Sequence, residues 1–190
     1  MDKPKVIVIC GPTASGKTAL SIELAKKING EIISSDSMQI YKYMDIGTAK
    51  PSEEEKEGIQ HYLLDFVEPN QRYSVAEYKK DAEAAIEEIL AKGKTPIIVG
   101  GTGLYLKAAL YDYKFEEENN AETYDNLTNE EIYELALKKD STCDVHPNNR
   151  KRLVRFLNKT TENIKSEILY DAIYIGLTTE REILYKKIND

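Results

Sequence analysis

The sequence has little of what would place it in several large functional classes. It holds two cysteines, Cys10 and Cys143, and no C-x-x-C pair. That leaves no disulfide framework and no thiolate zinc motif, and it fits a reducing compartment. Cys10 ends an apolar run, the setting of a buried thiol. The two histidines, His61 and His146, have no partners at metal-ligand spacing, so both read as structural. No apolar stretch approaches the roughly 18 residues of a membrane-spanning helix. The apolar part of MDKPKVIVIC is too short for a signal peptide. The chain is therefore expected to be soluble and cytoplasmic, with no membrane partner. Positive charge is not in excess either: 26 Lys and Arg stand against 33 Asp and Glu, a net charge of −7. Bulk charge gives no hint of nucleic acid, and any polyanion needs a local basic patch. There is no internal repeat.

What is present suits an ordinary globular protein. The 190 residues are 41% hydrophobic and 31% charged, enough for one compact domain with a small insertion. Val6 to Cys10 is a short β-branched run bounded by Pro4 and Gly11, as in a buried parallel strand. Helical spacing follows from Thr18 to Asn29, and Gly30 is expected to stop it. Further strands are predicted at 31–35, 62–67, 96–99 and 171–177. Ser52 with Glu55, Ser74 with Glu77, and Thr128 with Glu131 each form a capping-box pattern at a helix start. Gly93 closes the long helix after Ser74, and Thr178 is expected to cap the last one. Helices are also predicted over 102–110, 128–139 and 147–158. Strands alternating with helices predict an α/β fold: a mostly parallel sheet with helices on both faces and Val6–Cys10 at its centre. The stretch 111–126 is acidic and poor in aliphatics. The expected division is a core over 1–110, a helical insertion over 111–169 and a return to the core over 170–190.

Residues 11–18 read GPTASGKT, a full match to the P-loop pattern, between a predicted strand and helix. Gly11 and Gly16 let the backbone bend until several N–H groups point at one anion. The helix N-terminus adds the positive end of its dipole. Thr13, Ala14 and Ser15 complete the loop, Lys17 adds a point charge, and Thr18 offers a hydroxyl to Mg²⁺. Such a loop holds a diphosphate or triphosphate but does not name a reaction.

Three segments go further: GPTASGKT, SSDSMQIYKYMDIGTAKP (34–51) and VGGTGLYLKA (99–108). Together they resemble the signatures of the tRNA dimethylallyltransferase family, also called tRNA isopentenyltransferases. HYLLDFVEP (61–69), YSVAEYKKDA (73–82), HPNNRKRLVR (146–155) and YDAIYIGLTTEREILYKKI (170–188) are similar to family segments in the same order. The resemblance implies a P-loop NTPase-like fold. It implies transfer of a dimethylallyl group from its diphosphate to N6 of the adenine just 3′ of the anticodon in tRNA, with release of pyrophosphate. It also implies Mg²⁺ and a monomeric enzyme. Family chains carry a longer insertion with a Gly-Lys-Pro turn and continue past the point matching Asp190. The chain is thus expected to be a C-terminally truncated member.

On that basis each residue takes an expected role. Asp36 is the general base toward N6, or else caps a turn or orders a Mg²⁺ water. Lys17, Thr18 with Mg²⁺, and Arg181 neutralise the leaving group, though Arg181 also suits a solvated helix charge. Ser37, Met38 and Gln39 lie where the family grips the target nucleotide. Thr102 offers its hydroxyl or N–H to substrate, or caps a helix. Arg150, Lys151, Arg152 and Arg155 form a basic cluster; the last three are expected to meet RNA phosphates, or to form a solvated face. The P-loop also implies nucleotide or ATP binding, and other readings are an adenylate isopentenyltransferase acting on a free nucleotide, a P-loop nucleoside or metabolite kinase, and a non-catalytic nucleotide- or RNA-binding remnant. A kinase leaves DIGTAKP and GGTGLY without a role.

Overall fold

The computed structural model describes residues 3–112, 123–158 and 167–189. Two compact units are present: one comprises Met1–Tyr113 with Ser166–Asp190, the other Lys114–Lys165.

The first unit is built on five strands, β1 (Lys5–Cys10), β2 (Gly30–Ser34), β3 (His61–Tyr62), β4 (Thr95–Gly100) and β5 (Asp171–Gly176). Their order is β3-β2-β4-β1-β5, and every pairing is parallel. The α/β expectation holds, but β4 rather than β1 is the middle strand. Side chains alternate across the sheet. Val6 and Val8 face one side with Ile33 and Ile98, where α3 (Val75–Ala91) contributes Tyr78, Ile86 and Ile89 and α4 (Gly103–Leu110) contributes Tyr105 and Ala109. Ile9, Ile32 and Ile97 face the other side, covered by Ile22 and Ala25 of α1 (Lys17–Ile28).

Local chemistry sets the element ends. The capping box of α2 (Glu53–Lys56) is made by Ser52 and Glu55, and that of α3 by Ser74 and Glu77. Gly93 follows α3 at φ +69, a conformation glycine adopts without strain. Gly30 was expected to stop α1, but Asn29 does so in the left-handed region, and Gly30 already opens β2. The strand predicted over 62–67 is only His61–Tyr62, because Leu63 and Asp65 turn to φ 56 and 60 and leave the extended region. Thr178 is not the cap of α7 (Arg181–Asn189): Leu184 N–H donates to Glu180 O at 3.1 Å, which places the cap two residues later. Cys10, read as buried, is half-buried; Cys143 is the buried cysteine. Both chain crossings at the unit's border are hydrogen-bonded. Leu169 N–H donates to Leu110 O and Asp112 N–H to Glu167 O.

The second unit packs α5 (Asn129–Lys139) on α6 (Arg150–Asn158) around Ile132, Ala136, Cys143, Val145 and Leu153. Thr128 and Glu131 form the third predicted capping box. The predicted helix 147–158 begins at Arg150, since Asn149 Oδ1 accepts from Arg152 N–H.

Candidate active site

Register brings three strand ends level. Cys10 of β1 pairs with Gly100 of β4, and Ser34 of β2 pairs with Val99. The P-loop, the Asp36 turn and the Gly100-Gly101 pair therefore leave the sheet side by side. Ligands in open parallel sheets gather at this edge.

The P-loop needs its glycines for two reasons. A Cβ on Gly11 would lie 2.7 Å from Leu177 O, because β5 continues alongside with Leu177 N–H donating to Cys10 O. Gly16 stands at φ 88 at the cap position of α1, and Ala14 at φ 61. These turns leave the first N–H groups of α1 without helical carbonyls to receive them. Ser15 Oγ is buried and has no partner among the described residues. A buried hydroxyl without a partner inside a phosphate-binding loop fits a missing acceptor. Lys17 Nζ donates to Gly11 O at 2.9 Å and Pro12 O at 2.6 Å, folded back over the loop. Burial lowers the pKa of its ammonium, opposed by Asp36 and Cys10. Thr18 gives its carbonyl to the Ser21 hydroxyl. Its own hydroxyl makes no hydrogen bond among the described residues and suits a cation held jointly with phosphate oxygens.

Asp36 lies close enough to Lys17 to act on it electrostatically. Its Oδ1 accepts from Met38 N–H at 2.8 Å and Gln39 N–H at 3.3 Å, an Asx-type turn. Oδ2 makes no such bond among the described residues. Asp36 thus caps a turn with one oxygen and leaves the other without a hydrogen bond among the described residues. Thr102 stands at the cap position of α4 but makes no side-chain cap bond. It holds the Asp36 turn instead: Oγ1 accepts from Ser37 N–H at 3.2 Å, and its N–H donates to Ser35 O at 3.2 Å. Gln39 donates to Thr48 O and Ala49 O, so its amide positions the following loop. Met38 is exposed.

Three features escaped the sequence reading. Gly100 allows β4 to approach Ser35, Tyr105 stacks on Tyr78 at 4.0 Å, and Lys50 clasps Asp45 and Asp65. None has a spacing signature. In the second unit Lys151, Arg152 and Arg155 are exposed and make no ion pair among the described residues. Arg150 differs from them, since it donates to Tyr124 O, Leu127 O and Asn129 Oδ1 and holds that unit together. Arg181 opens α7, and its side chain lies outside the described residues. His61 is structural: its Nδ1 is 2.8 Å from Ile59 O, and burial lowers its pKa. No group of three or more His, Cys, Asp or Glu able to hold a metal occurs among the described residues.

Residues 39–190 match the family described as IPP transferase. The chain belongs to the IPP transferase family. It is 48% identical over 207 residues to the tRNA dimethylallyltransferase of Macrococcus caseolyticus, covering all of this chain and 66% of that protein. It is 48% identical over 212 residues to the Staphylococcus epidermidis tRNA dimethylallyltransferase, covering all of this chain and 64% of that protein. This IPP transferase family chain thus spans just under two thirds of those relatives' length. The crystal structure of tRNA delta(2)-isopentenylpyrophosphate transferase from S. epidermidis superposes with a TM-score of 0.67 at 47% identity, over 98% of this chain and 67% of that one. A eukaryotic dimethylallyltransferase acting on tRNA superposes with a TM-score of 0.83 at 33% identity, over 98% of this chain and 51% of that one. The P-loop and Asp36 precede residue 39 and fall outside the family match, but the full-length alignments include them. Among the described residues no helix is long and apolar enough to cross a membrane.

Proposed function

We propose that this chain transfers a dimethylallyl group from dimethylallyl diphosphate to N6 of the adenine 3′-adjacent to the anticodon of tRNA, in the cytoplasm, releasing pyrophosphate. One observation carries the reading: a carboxylate with a free oxygen, Asp36, sits beside the P-loop lysine at a shared sheet edge. A kinase also positions a carboxylate near its phosphates, but it leaves DIGTAKP (45–51) and GGTGLY (100–105) without a role.

The residues divide the work. The N–H groups of 13–18, Ser15 Oγ and Lys17 hold the diphosphate. Thr18 is the residue to hold Mg²⁺, whose charge offsets that of the leaving group when bound. An adenine N6 is a poor nucleophile because its lone pair is delocalised into the ring. As N6 bonds to C1 of the dimethylallyl group, the C1–O bond breaks and the electron pair leaves with pyrophosphate. Asp36 Oδ2 takes the N6 proton, and its turn to Met38 and Gln39 holds the carboxylate in place. Ser37, Met38 and Thr102 line the acceptor side, with Gln39 behind them. Lys151, Arg152 and Arg155 supply phosphate contacts that an overall acidic protein otherwise lacks.

The exposed basic face of α6 favours tRNA over a free nucleotide as acceptor. The test is pyrophosphate release from dimethylallyl diphosphate with tRNA or with AMP as acceptor. Release with tRNA alone is expected. Release with AMP alone makes the chain an adenylate isopentenyltransferase. Binding of both substrates without turnover makes it a non-catalytic remnant.

A further inference from the structure

The loop after Gln39 is closed on itself and carries apolar side chains on its outside. Lys50 lies at its centre with a side chain only 5% exposed. Its Nζ donates to Tyr41 O at 2.8 Å, Asp45 Oδ1 at 2.7 Å and Asp65 Oδ1 at 2.6 Å. Thr48 Oγ1 donates to Met44 O, Ala49 N–H to Ile46 O, and Lys50 N–H to Asp45 O. Gln39 fastens the same loop to the Asp36 turn through Thr48 O and Ala49 O. Tyr41 also bridges to Val67, and Lys42 N–H donates to Val67 O. The loop and the acceptor-side turn are therefore one rigid body.

This body presents Ile46 at 97% exposure and Tyr43 at 78%, with Met44 at 39% and Met38 at 47%. A loop that turns its apolar side chains outward gains nothing from them in the folding of the described residues. The tip is too small for a protein interface, which buries about 800 Å² per partner. Its backbone groups are largely engaged internally, so it suits a flat apolar partner that demands no hydrogen bonds. A nucleobase face is such a partner. A base taken out of its stack for chemistry leaves a neighbour with an uncovered face.

We propose that Tyr43 and Ile46 form a wedge that packs against the nucleobase flanking the target adenine of a single-stranded RNA loop. The proposal rests on tRNA as acceptor. Wedge and base are then set in one step: Gln39 and Lys50 fix the tip relative to Asp36, and the tip fixes the RNA relative to the same carboxylate. Apolar side chains inserted at base steps act this way in other nucleic-acid complexes.

The test uses a 17-nucleotide anticodon stem-loop with 2-aminopurine beside the target adenine, titrated with this chain and with Ile46→Ser and Tyr43→Ala. Ile46 touches almost nothing in the protein, so Ile46→Ser keeps the wild-type Tm. Wild-type protein is expected to change the 2-aminopurine fluorescence on binding. Each variant is expected to bind the RNA more weakly, Tyr43→Ala by roughly 5- to 150-fold, the range for loss of one base–aromatic stack. The fluorescence change is lost with it, while pyrophosphate affinity stays the same. Equal RNA affinity and fluorescence in wild type and both variants overturns the wedge and leaves the acceptor assignment standing. Wild-type protein that ignores the RNA overturns both. Self-association that Ile46→Ser abolishes, with unchanged RNA binding, assigns the tip to a second copy and overturns the wedge.

Discussion

Gly100 lies against the backbone of Ser35 so closely that a Cβ on it would sit 2.1 Å from Ser35 O. The contact is backbone to backbone, so no side chain can swing away to relieve it. Ser35 N–H donates to Val99 O at 2.7 Å, and Ser35 O accepts from Thr102 N–H. The approach therefore sets the distance between the end of β4 and the turn carrying Asp36. Gly100→Ala must push these apart. It is expected to cost about 1–3 kcal/mol, as overpacking in a well-packed interior does. Because the displaced part is the Asp36 turn, transfer falls in protein that is still folded. Chemical denaturation paired with single-turnover rates checks both effects. An alanine variant with wild-type rate means the Asp36 turn does not depend on this approach.

Glu31 tests the opposite end of the sheet. Its side chain is 5% exposed, between Lys94 at 2.7 Å and Lys92 at 3.3 Å, and Tyr62 donates to it at 2.9 Å. Burial alone raises its pKa, but the bonds from Lys94, Tyr62 and Lys92 outweigh burial and hold it below the ordinary 4.5. A depressed carboxylate stabilises the fold above its unfolded pKa. That stability is lost as pH falls through 4.5 toward the lower folded value. Glu31→Gln is expected to cost about 1.5–3 kcal/mol at pH 7, the worth of a hydrogen bond to a charged group. The gap to wild type should narrow as pH falls below 4.5 and through the lower folded value. Urea denaturation across pH measures it, and a gap independent of pH contradicts the assignment.

Much of this was legible because its causes are local or periodic. Three capping boxes needed only a hydroxyl and a glutamate three residues apart. The P-loop needed a strand, a glycine-rich turn and a helix in sequence. The meeting of Asp36 with that loop followed from strand ends sharing one edge. What stayed hidden depends on contacts with no spacing rule. Lys50 finds one carboxylate five residues back and another fifteen ahead. β3 stops because Leu63 and Asp65 take positive φ, which their residue types do not announce. Thr102 read as a cap or substrate contact; it makes no side-chain cap bond, and the contact of its hydroxyl with Ser37 N–H spans 65 positions in sequence.

Lys17 supplies the cation of the P-loop. Lys17→Ala is expected to weaken pyrophosphate and dimethylallyl diphosphate binding roughly 10- to 100-fold, the loss of one charge-assisted contact. The amine is also pH-sensitive in a stated direction. Burial lowers its pKa below the ordinary 10.5, against the pull of Asp36 and Cys10. Affinity for diphosphate should therefore fall as pH rises, starting below the range in which an exposed lysine loses its proton. Calorimetry across alkaline pH checks this, with Lys17→Arg expected to remove the fall. Unchanged affinity in a stable Lys17→Ala protein removes Lys17 from the site.

Asp36 offers the sharpest separation of roles. Oδ1 accepts from Met38 and Gln39 N–H, and an asparagine in its place can still do so. Asp36→Asn therefore keeps the turn and removes the negative charge and the capacity to take a proton. Diphosphate affinity should persist, since the P-loop is untouched. Prenyl transfer to tRNA should fall by about 10²–10⁴-fold, the contribution of a positioned base. The loss should appear in kcat more than in KM, because the proton moves only as the new bond forms. Asp36→Ala gives the contrast: it removes the turn as well as the base, so RNA affinity should fall along with the rate. If Asp36 serves chiefly to order a metal-bound water, Asp36→Asn should instead lose diphosphate affinity and regain rate as Mg²⁺ is raised. Single-turnover transfer across a Mg²⁺ series distinguishes these outcomes. A wild-type rate in Asp36→Asn removes both roles and leaves Asp36 as the residue that holds the turn.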